Sequence, residues 1–217
     1  MWSNAAGIGT FEGGYFHLHK DLGMVTTALP AKVVSEELPG RSGIGHVRYP
    51  TAGSSTRGDA QPFMSRRPSI VLAHNGNVTN FVELSDSRFK SKMTRLNSTC
   101  DLEVLLYVFQ EALAERYNAS GGKVTVDDVF GAVARVYKEV KGAYSVCATI
   151  ADVGMVAFRD PFGIKPAVVG QRTDEYGGSA TNRIRLLREL LEDTREVAQG
   201  RAAVACRISV EEPHVAD

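Results

Sequence analysis

Residues 101–117 read DLEVLLYVFQEALAERY, and residues 126–141 read VDDVFGAVARVYKEVK. In the first, Leu102, Leu105, Leu106, Phe109 and Leu113 recur at helical spacing and share one face. In the second, Val129, Val133, Val136 and Val140 form an apolar stripe, and Thr125 with Asp128 has the pattern of a capping box. These helices sit between β-type segments. Upstream, Phe16–Lys20 alternates like a half-buried strand, while Gly43–Tyr49 and Ser69–His74 read as short buried strands running into Gly- or Pro-marked turns. Downstream of Gly142, Tyr144–Ile150, Met155–Phe158 and Ala167–Val169 are β-rich runs, separated by Asp152-Val-Gly154 and Arg159-Asp-Pro-Phe-Gly163. A short helix over Ile184–Leu191 and a last strand over Ala203–Val210 complete the expectation. Strands, then helices, then strands imply separate layers, so the fold class is α+β rather than a βαβ alternation. Gly43-Ile-Gly45 does not open a dinucleotide loop, because Arg48 holds the third glycine position and no helix follows.

The composition sets the functional class. A chain of 217 residues buries about 70% of its unfolded surface, enough for a core of its own. Lys+Arg and Asp+Glu are both 25, so the net charge is zero. That argues against nucleic acid or a membrane surface as partner, since either draws on excess basic charge. Three cysteines, Cys100, Cys147 and Cys206, without a CxxC, exclude a disulfide framework and a zinc ribbon. No apolar run reaches the ~20 residues of a membrane span. Met1-Trp-Ser-Asn4 has neither a basic start nor an apolar stretch, so no signal peptide is expected and the location is read as cytoplasmic. The Asn-x-Ser/Thr triplets at Asn77, Asn97 and Asn118 are then chance matches.

Three polar clusters lie at the ends of expected elements, where backbone is fixed and side chains can face a cleft. In Gly45-His-Val-Arg-Tyr-Pro-Thr-Ala-Gly53, Arg48 leaves a buried strand, placed either to pair with a local acid or to hold a carboxylate through two parallel bonds. In Ala73-His-Asn-Gly-Asn-Val-Thr-Asn80, Asn75-Gly76 reads as a hairpin turn, or as a pair of donors for a developing oxyanion. In Ser98-Thr-Cys-Asp-Leu-Glu103, Ser98 and Asp101 form a capping box, or Asp101 grips an ammonium group. Together the three suit an α-amino acid with a reactive side-chain carbonyl. His17 and His19 share a strand face but lack a third ligand, so no metal is expected. Cys100 reads as a buried, inert thiol.

Several longer blocks carry a family resemblance. Ser42-Gly-Ile-Gly-His-Val-Arg-Tyr-Pro-Thr-Ala-Gly53, Ala60-Gln-Pro-Phe63, Leu72-Ala-His-Asn-Gly-Asn-Val-Thr-Asn80, Gly142-Ala-Tyr-Ser145 and Phe158-Arg-Asp-Pro-Phe-Gly-Ile-Lys-Pro166 resemble the glutaminase domain of the amidophosphoribosyltransferases. These are class II glutamine amidotransferases, whose glutaminase is an N-terminal-nucleophile (Ntn) hydrolase. The resemblance implies an αββα sandwich. It implies that Arg48 holds the glutamine α-carboxylate and Asp101 its α-amino group. Asn75 and Gly76 would form the oxyanion hole, and Tyr49 and Thr51 would line the pocket. The implied activity is transfer of glutamine-derived ammonia to phosphoribosyl pyrophosphate, the first committed step of purine synthesis, with no cofactor in this chain.

Two departures qualify it. Family members begin with a nucleophilic cysteine, whereas Trp2-Ser-Asn-Ala-Ala-Gly-Ile8 aligns with the segment after the family's first strand and first helix. The expectation is therefore a glutaminase domain over residues 1–217, truncated at its N-terminus, without a phosphoribosyltransferase domain and inactive by itself. Ser3 and Thr10 are poor substitute nucleophiles. The partners expected are glutamine and either a full-length relative or a separate phosphoribosyltransferase chain. The alternative is a non-catalytic domain that binds glutamine or pairs with such a relative.

Overall fold

The computed structural model describes residues 4–49, 56–89 and 96–169. The chain divides into two compact units, Met1–Ala167 and Val168–Asp217, and only the first two residues of the second are described. The first unit contains strands β1 (Ala5–Glu12), β2 (Tyr15–Leu22), β3 (Gly43–Arg48), β4 (Phe63–Arg66), β5 (Ser69–Val78), β6 (Gly142–Ile150) and β7 (Gly154–Arg159). Its main helices are α4 (Leu102–Ala119) and α5 (Val126–Glu139), with shorter turns of helix at α1 (Val25–Ala28), α2 (Ala31–Glu37) and α3 (Phe81–Leu84).

The strands form two antiparallel sheets, in the orders β2-β1-β3 and β4-β5-β6-β7. β5 organises the stack, because successive side chains on a strand point to opposite faces. Ile70 and Leu72 join the core with Leu102, Leu105, Phe109 and Leu113 of α4 and Val129, Val133 and Val136 of α5. Val71, on the other face, meets the first sheet: a Cβ on Gly9 of β1 would lie 2.8 Å from Val71 Cγ1. α1 covers the far side of that sheet through Ala28 and Leu29 against Ala6. The layers are thus helix, sheet, sheet, helix, which is α+β as the element order implied and the αββα sandwich that the resemblance implied.

Where sequence and structure differ, the causes are local. The stretch Ala5–Glu12 lacks apolar alternation because the sheets approach too closely there for larger side chains; a Cβ on Gly7 would sit 2.3 Å from the Gln61 carbonyl oxygen. β5 continues through Asn75-Gly76 to Val78, so that dipeptide is not a hairpin turn. Ala167–Val169, expected as a strand, is irregular, and the segments Ile184–Leu191 and Ala203–Val210 lie outside the described residues. The capping box of α5 does form: Asp128 N donates to Thr125 Oγ1 and Asp128 Oδ2 accepts from the Thr125 N–H.

Phe109 is fully buried and its ring lies 5.8 Å from that of Phe158, whereas Phe130 on α5 is 61% exposed. Phe109→Ala should lower unfolding free energy by about 3–5 kcal/mol, and Phe130→Ala by no more than ~0.5 kcal/mol. Urea titration followed by far-UV circular dichroism checks the contrast.

Candidate active site

The site is built on the second half of β5. In an antiparallel ladder alternate residues bond to opposite neighbours. β6 accompanies β5 along its whole length, pairing Ala73 with Cys147, Asn75 with Ser145 and Asn77 with Ala143. On the other side β4 pairs only from Ser69 to Leu72. Beyond that point the N–H groups on this edge find side chains instead. His74 N donates to Gln61 Oε1 at 2.7 Å, and Val78 N to Asp101 Oδ2 at 2.6 Å. Gly76 lies between them, beyond the last residue that β4 pairs. Only glycine fits there, since a Cβ would lie 2.1 Å from the Ala143 carbonyl oxygen and 2.6 Å from Tyr144 Cα. The neighbouring Asn75 side chain is exposed, and its Oδ1 accepts from Lys165 Nζ at 3.0 Å, which leaves its amide N–H groups as donors.

Asp101 stands at the head of α4 without capping it. Its carboxylate reaches to β5, where Oδ2 takes the Val78 N–H and Oδ1 lies 3.4 Å from His74 Nε2. Burial pushes the carboxyl up, but the His74 ring and the Val78 N–H outweigh it and hold Asp101 below the ordinary carboxylate range. The expected Ser98–Asp101 capping box is replaced by a different arrangement. Ser98 Oγ donates to Glu103 Oε2 at 2.7 Å, and the same buried carboxylate accepts from the N–H groups of Asn97 and Ser98. Asp59, also buried, accepts from Thr99 N at 2.9 Å and Thr99 Oγ1 at 3.0 Å. Two carboxylates therefore fix the loop that delivers Asp101.

Arg48 closes β3, half-buried, opposite Ala5 of β1. Its charge acts on Cys100 and on His46. Burial pushes the Cys100 thiol up to about 11, Asp101 and Asp59 reinforce this, and Arg48 opposes it. His46 is pulled down to about 4, by burial first and then by His74 and Arg48, although a hydrogen bond to the His74 backbone works the other way. At neutral pH both groups are uncharged. Cys100 is thus the inert buried thiol expected. Tyr49 is 68% exposed, and Thr51 lies outside the described residues. Of the other candidates, Thr10 is buried within β1, Ser3 is not described, and His19 Nδ1 lies 3.3 Å from Glu37 Oε2. Among the described residues no three His, Cys, Asp or Glu side chains cluster as metal ligands, and no helix is long and apolar enough to cross a membrane.

A cavity of about 860 Å³ lies elsewhere, at the Ser69 end of β5, among Arg67, Tyr117, Lys123 and Asp152. None of the candidate residues lines it, and its charged groups are exposed. Hydrogen-bonding geometry, not volume, therefore marks the site.

The profile of a glutamine amidotransferase domain matches residues 46–185, which contain all six candidate residues. The chain belongs to the glutamine amidotransferase family. It is 44% identical over 171 residues to the amidophosphoribosyltransferase of Escherichia coli, covering 78% of this chain and 33% of that protein. To the Haemophilus influenzae amidophosphoribosyltransferase it is 40% identical over 206 residues, covering 92% of this chain and 40% of the relative. Among solved structures, the glutamine phosphoribosylpyrophosphate amidotransferase of B. subtilis, complexed with ADP and GMP, superposes with a TM-score of 0.61 at 26% identity, over 78% of this chain and 34% of that one. A structure described as the allosteric regulatory enzyme of purine biosynthesis gives a TM-score of 0.62 at 28% identity, over 76% and 33%. The chain spans a third to two-fifths of the length of these relatives. A profile of the NADH:flavin oxidoreductase / NADH oxidase family matches residues 165–217, nearly all outside the described residues.

The sequence reading missed Gln61, His46, Glu103 and Lys165 as parts of the site. Gln61, His46 and Lys165 stood inside the blocks that carry the family resemblance, but nothing in their spacing marked what they touch.

Two outcomes follow from this geometry. Gly76→Ala should destabilise by about 1–3 kcal/mol or more through the clash with β6, whereas Asn77→Ala on the exposed face should stay within ~0.5 kcal/mol; thermal melts distinguish them. His46 has a folded value near 4 against 6.5 for the free side chain, so the unfolded chain binds the extra proton between those pH values. Stability is then complete above pH 6.5 and falls as pH drops towards 4. His46→Gln should flatten that part of the curve, measured by urea midpoints across the range.

Proposed function

We propose that residues 1–217 form the glutamine site of an amidophosphoribosyltransferase. Arg48 pairs with the substrate α-carboxylate, and Asp101 accepts hydrogen bonds from the α-ammonium. The Asn75 amide and the Gly76 N–H receive the oxygen of the side-chain amide as it becomes an oxyanion. Tyr49 and Thr51 line the pocket. The observation that carries this reading is the pair of side chains, Gln61 and Asp101, that bond β5 on either side of Gly76 where β4 no longer pairs.

The chemistry requires a thiolate to attack the amide carbon, an oxyanion to form, and ammonia to leave as the carbonyl is restored. Preorganised donors contribute by being aimed at the developing charge, and losing one costs about 10²–10³ in rate. Cys100 does not supply the thiolate, being buried and neutral. Cys147 sits in mid-strand within β6. Cys147 is exposed there and Cys206 lies outside the described residues, so no described cysteine stands with the proposed oxyanion donors; on this reading residues 1–217 by themselves bind glutamine without releasing ammonia. In the complete enzyme a phosphoribosyltransferase portion would hold phosphoribosyl pyrophosphate and accept the ammonia.

Isothermal titration of the chain with L-glutamine tests the reading. Binding is expected for L-glutamine and not for D-glutamine. Arg48→Ala and Asp101→Asn should each weaken it about 10- to 100-fold, the range for hydrogen bonds to charged groups. A coupled ammonia assay should give no turnover. Absence of glutamine binding, or binding indifferent to both substitutions, would overturn the reading.

A further inference from the structure

Gln61 is buried immediately before β4, in a segment with no role in the scheme above. Its Oε1 accepts from His74 N at 2.7 Å, and its Nε2 lies 3.2 Å from His74 Nδ1. A backbone N–H can only donate, so the amide orientation is settled: Oε1 faces the main chain and Nε2 faces the ring. Nδ1 must then be the acceptor. The neutral imidazole carries its proton on Nε2, the atom 3.4 Å from Asp101 Oδ1. The other carboxylate oxygen is held by Val78 N at 2.6 Å. The second Nε2 hydrogen points towards Cys100 Sγ, 3.9 Å away.

We propose that Gln61 is a positioning residue, which selects the His74 tautomer that donates to Asp101 and so fixes the carboxylate lone pairs that grip the substrate ammonium. This rests on the assignment of Asp101 to the ammonium. His74 and Val78 constrain the carboxylate from two directions, and Gln61 decides whether the first is a donor or an acceptor. With the opposite tautomer, a ring lone pair would face the Asp101 carboxylate and the restraint would become a repulsion.

The test combines imidazole ¹⁵N NMR with binding of two probes, L-glutamine and glutaramate, its analogue lacking the α-amino group. In the unmodified chain His74 should show an unprotonated Nδ1 and a protonated Nε2, and L-glutamine should bind more tightly than glutaramate. Gln61→Met removes both bonds and should leave mixed tautomers. In this variant the preference for glutamine over glutaramate should fall about tenfold while glutaramate affinity is unchanged. Gln61→Glu places a second carboxylate at Nδ1, which favours a ring protonated on both nitrogens that still donates to Asp101, so it should keep the preference. A purely structural role for Gln61 would weaken both probes alike and overturn the proposal. So would a protonated Nδ1 in the unmodified chain, a readout that needs no variant to fold. If the unmodified chain shows no preference for glutamine over glutaramate, the Asp101 assignment fails and the proposed role of Gln61 fails with it; the NMR result then still reports whether Gln61 sets the tautomer.

Discussion

β5 must satisfy backbone donors along an edge that its neighbour β4 leaves after Leu72. A buried N–H without an acceptor costs about 1–3 kcal/mol, so a strand that outruns its partner needs substitutes. Two are supplied by side chains, Gln61 at His74 and Asp101 at Val78, and both approach from segments remote in sequence. The spacing leaves Gly76 between them. The same device that closes the edge therefore brings a carboxylate, Asp101, to this part of β5. Structure and site share one cause here: the mismatch in length between β4 and β5.

That arrangement works only if Asp101 arrives at the right height. Its position at the head of α4 is set by α4 packing on β4 and β5 and by the loop ahead of it. Asp59 and Glu103 together accept hydrogen bonds from the backbone of Asn97, Ser98 and Thr99. Burying carboxylates is unfavourable unless their oxygens are saturated with donors. Each has several, so the loop is held by groups that lose heavily if it moves. A replacement that merely kept the helix would not keep this geometry.

The strongly periodic parts of the fold were legible in the sequence. α4 and α5 announce themselves because one face is apolar at helical spacing, and Thr125 with Asp128 marks a real start. β1 was not legible, since close packing against Val71 and Gln61 selects glycines that erase the alternation. Asn75-Gly76 misled for a related reason: glycine is demanded there by the approach of β6, not by a turn. Arg48, Asn75, Gly76 and Asp101 stood out at strand ends and a helix start, but each had a plain structural reading beside the functional one, and only the family resemblance implied roles for them. Gln61 and His46 could not, because their partners are set by tertiary contacts that no local spacing encodes. The Ser98–Asp101 cap was wrong: Ser98 Oγ bonds to Glu103 instead, and Asp101 reaches across to β5.

The electrostatics also bear on what the hollow admits. Arg48 is cationic, Asp101 is held anionic, and burial keeps His46 and Cys100 uncharged near neutrality. On the proposed reading, one positive and one negative group on separate elements would suit a zwitterion. Were His46 protonated, a second cation would stand beside Arg48 and favour a dianion instead. Its lowered value therefore matters beyond stability. Keeping histidine neutral costs binding nothing at pH 7, yet it confines the balanced charge pattern to a pH range well above 4.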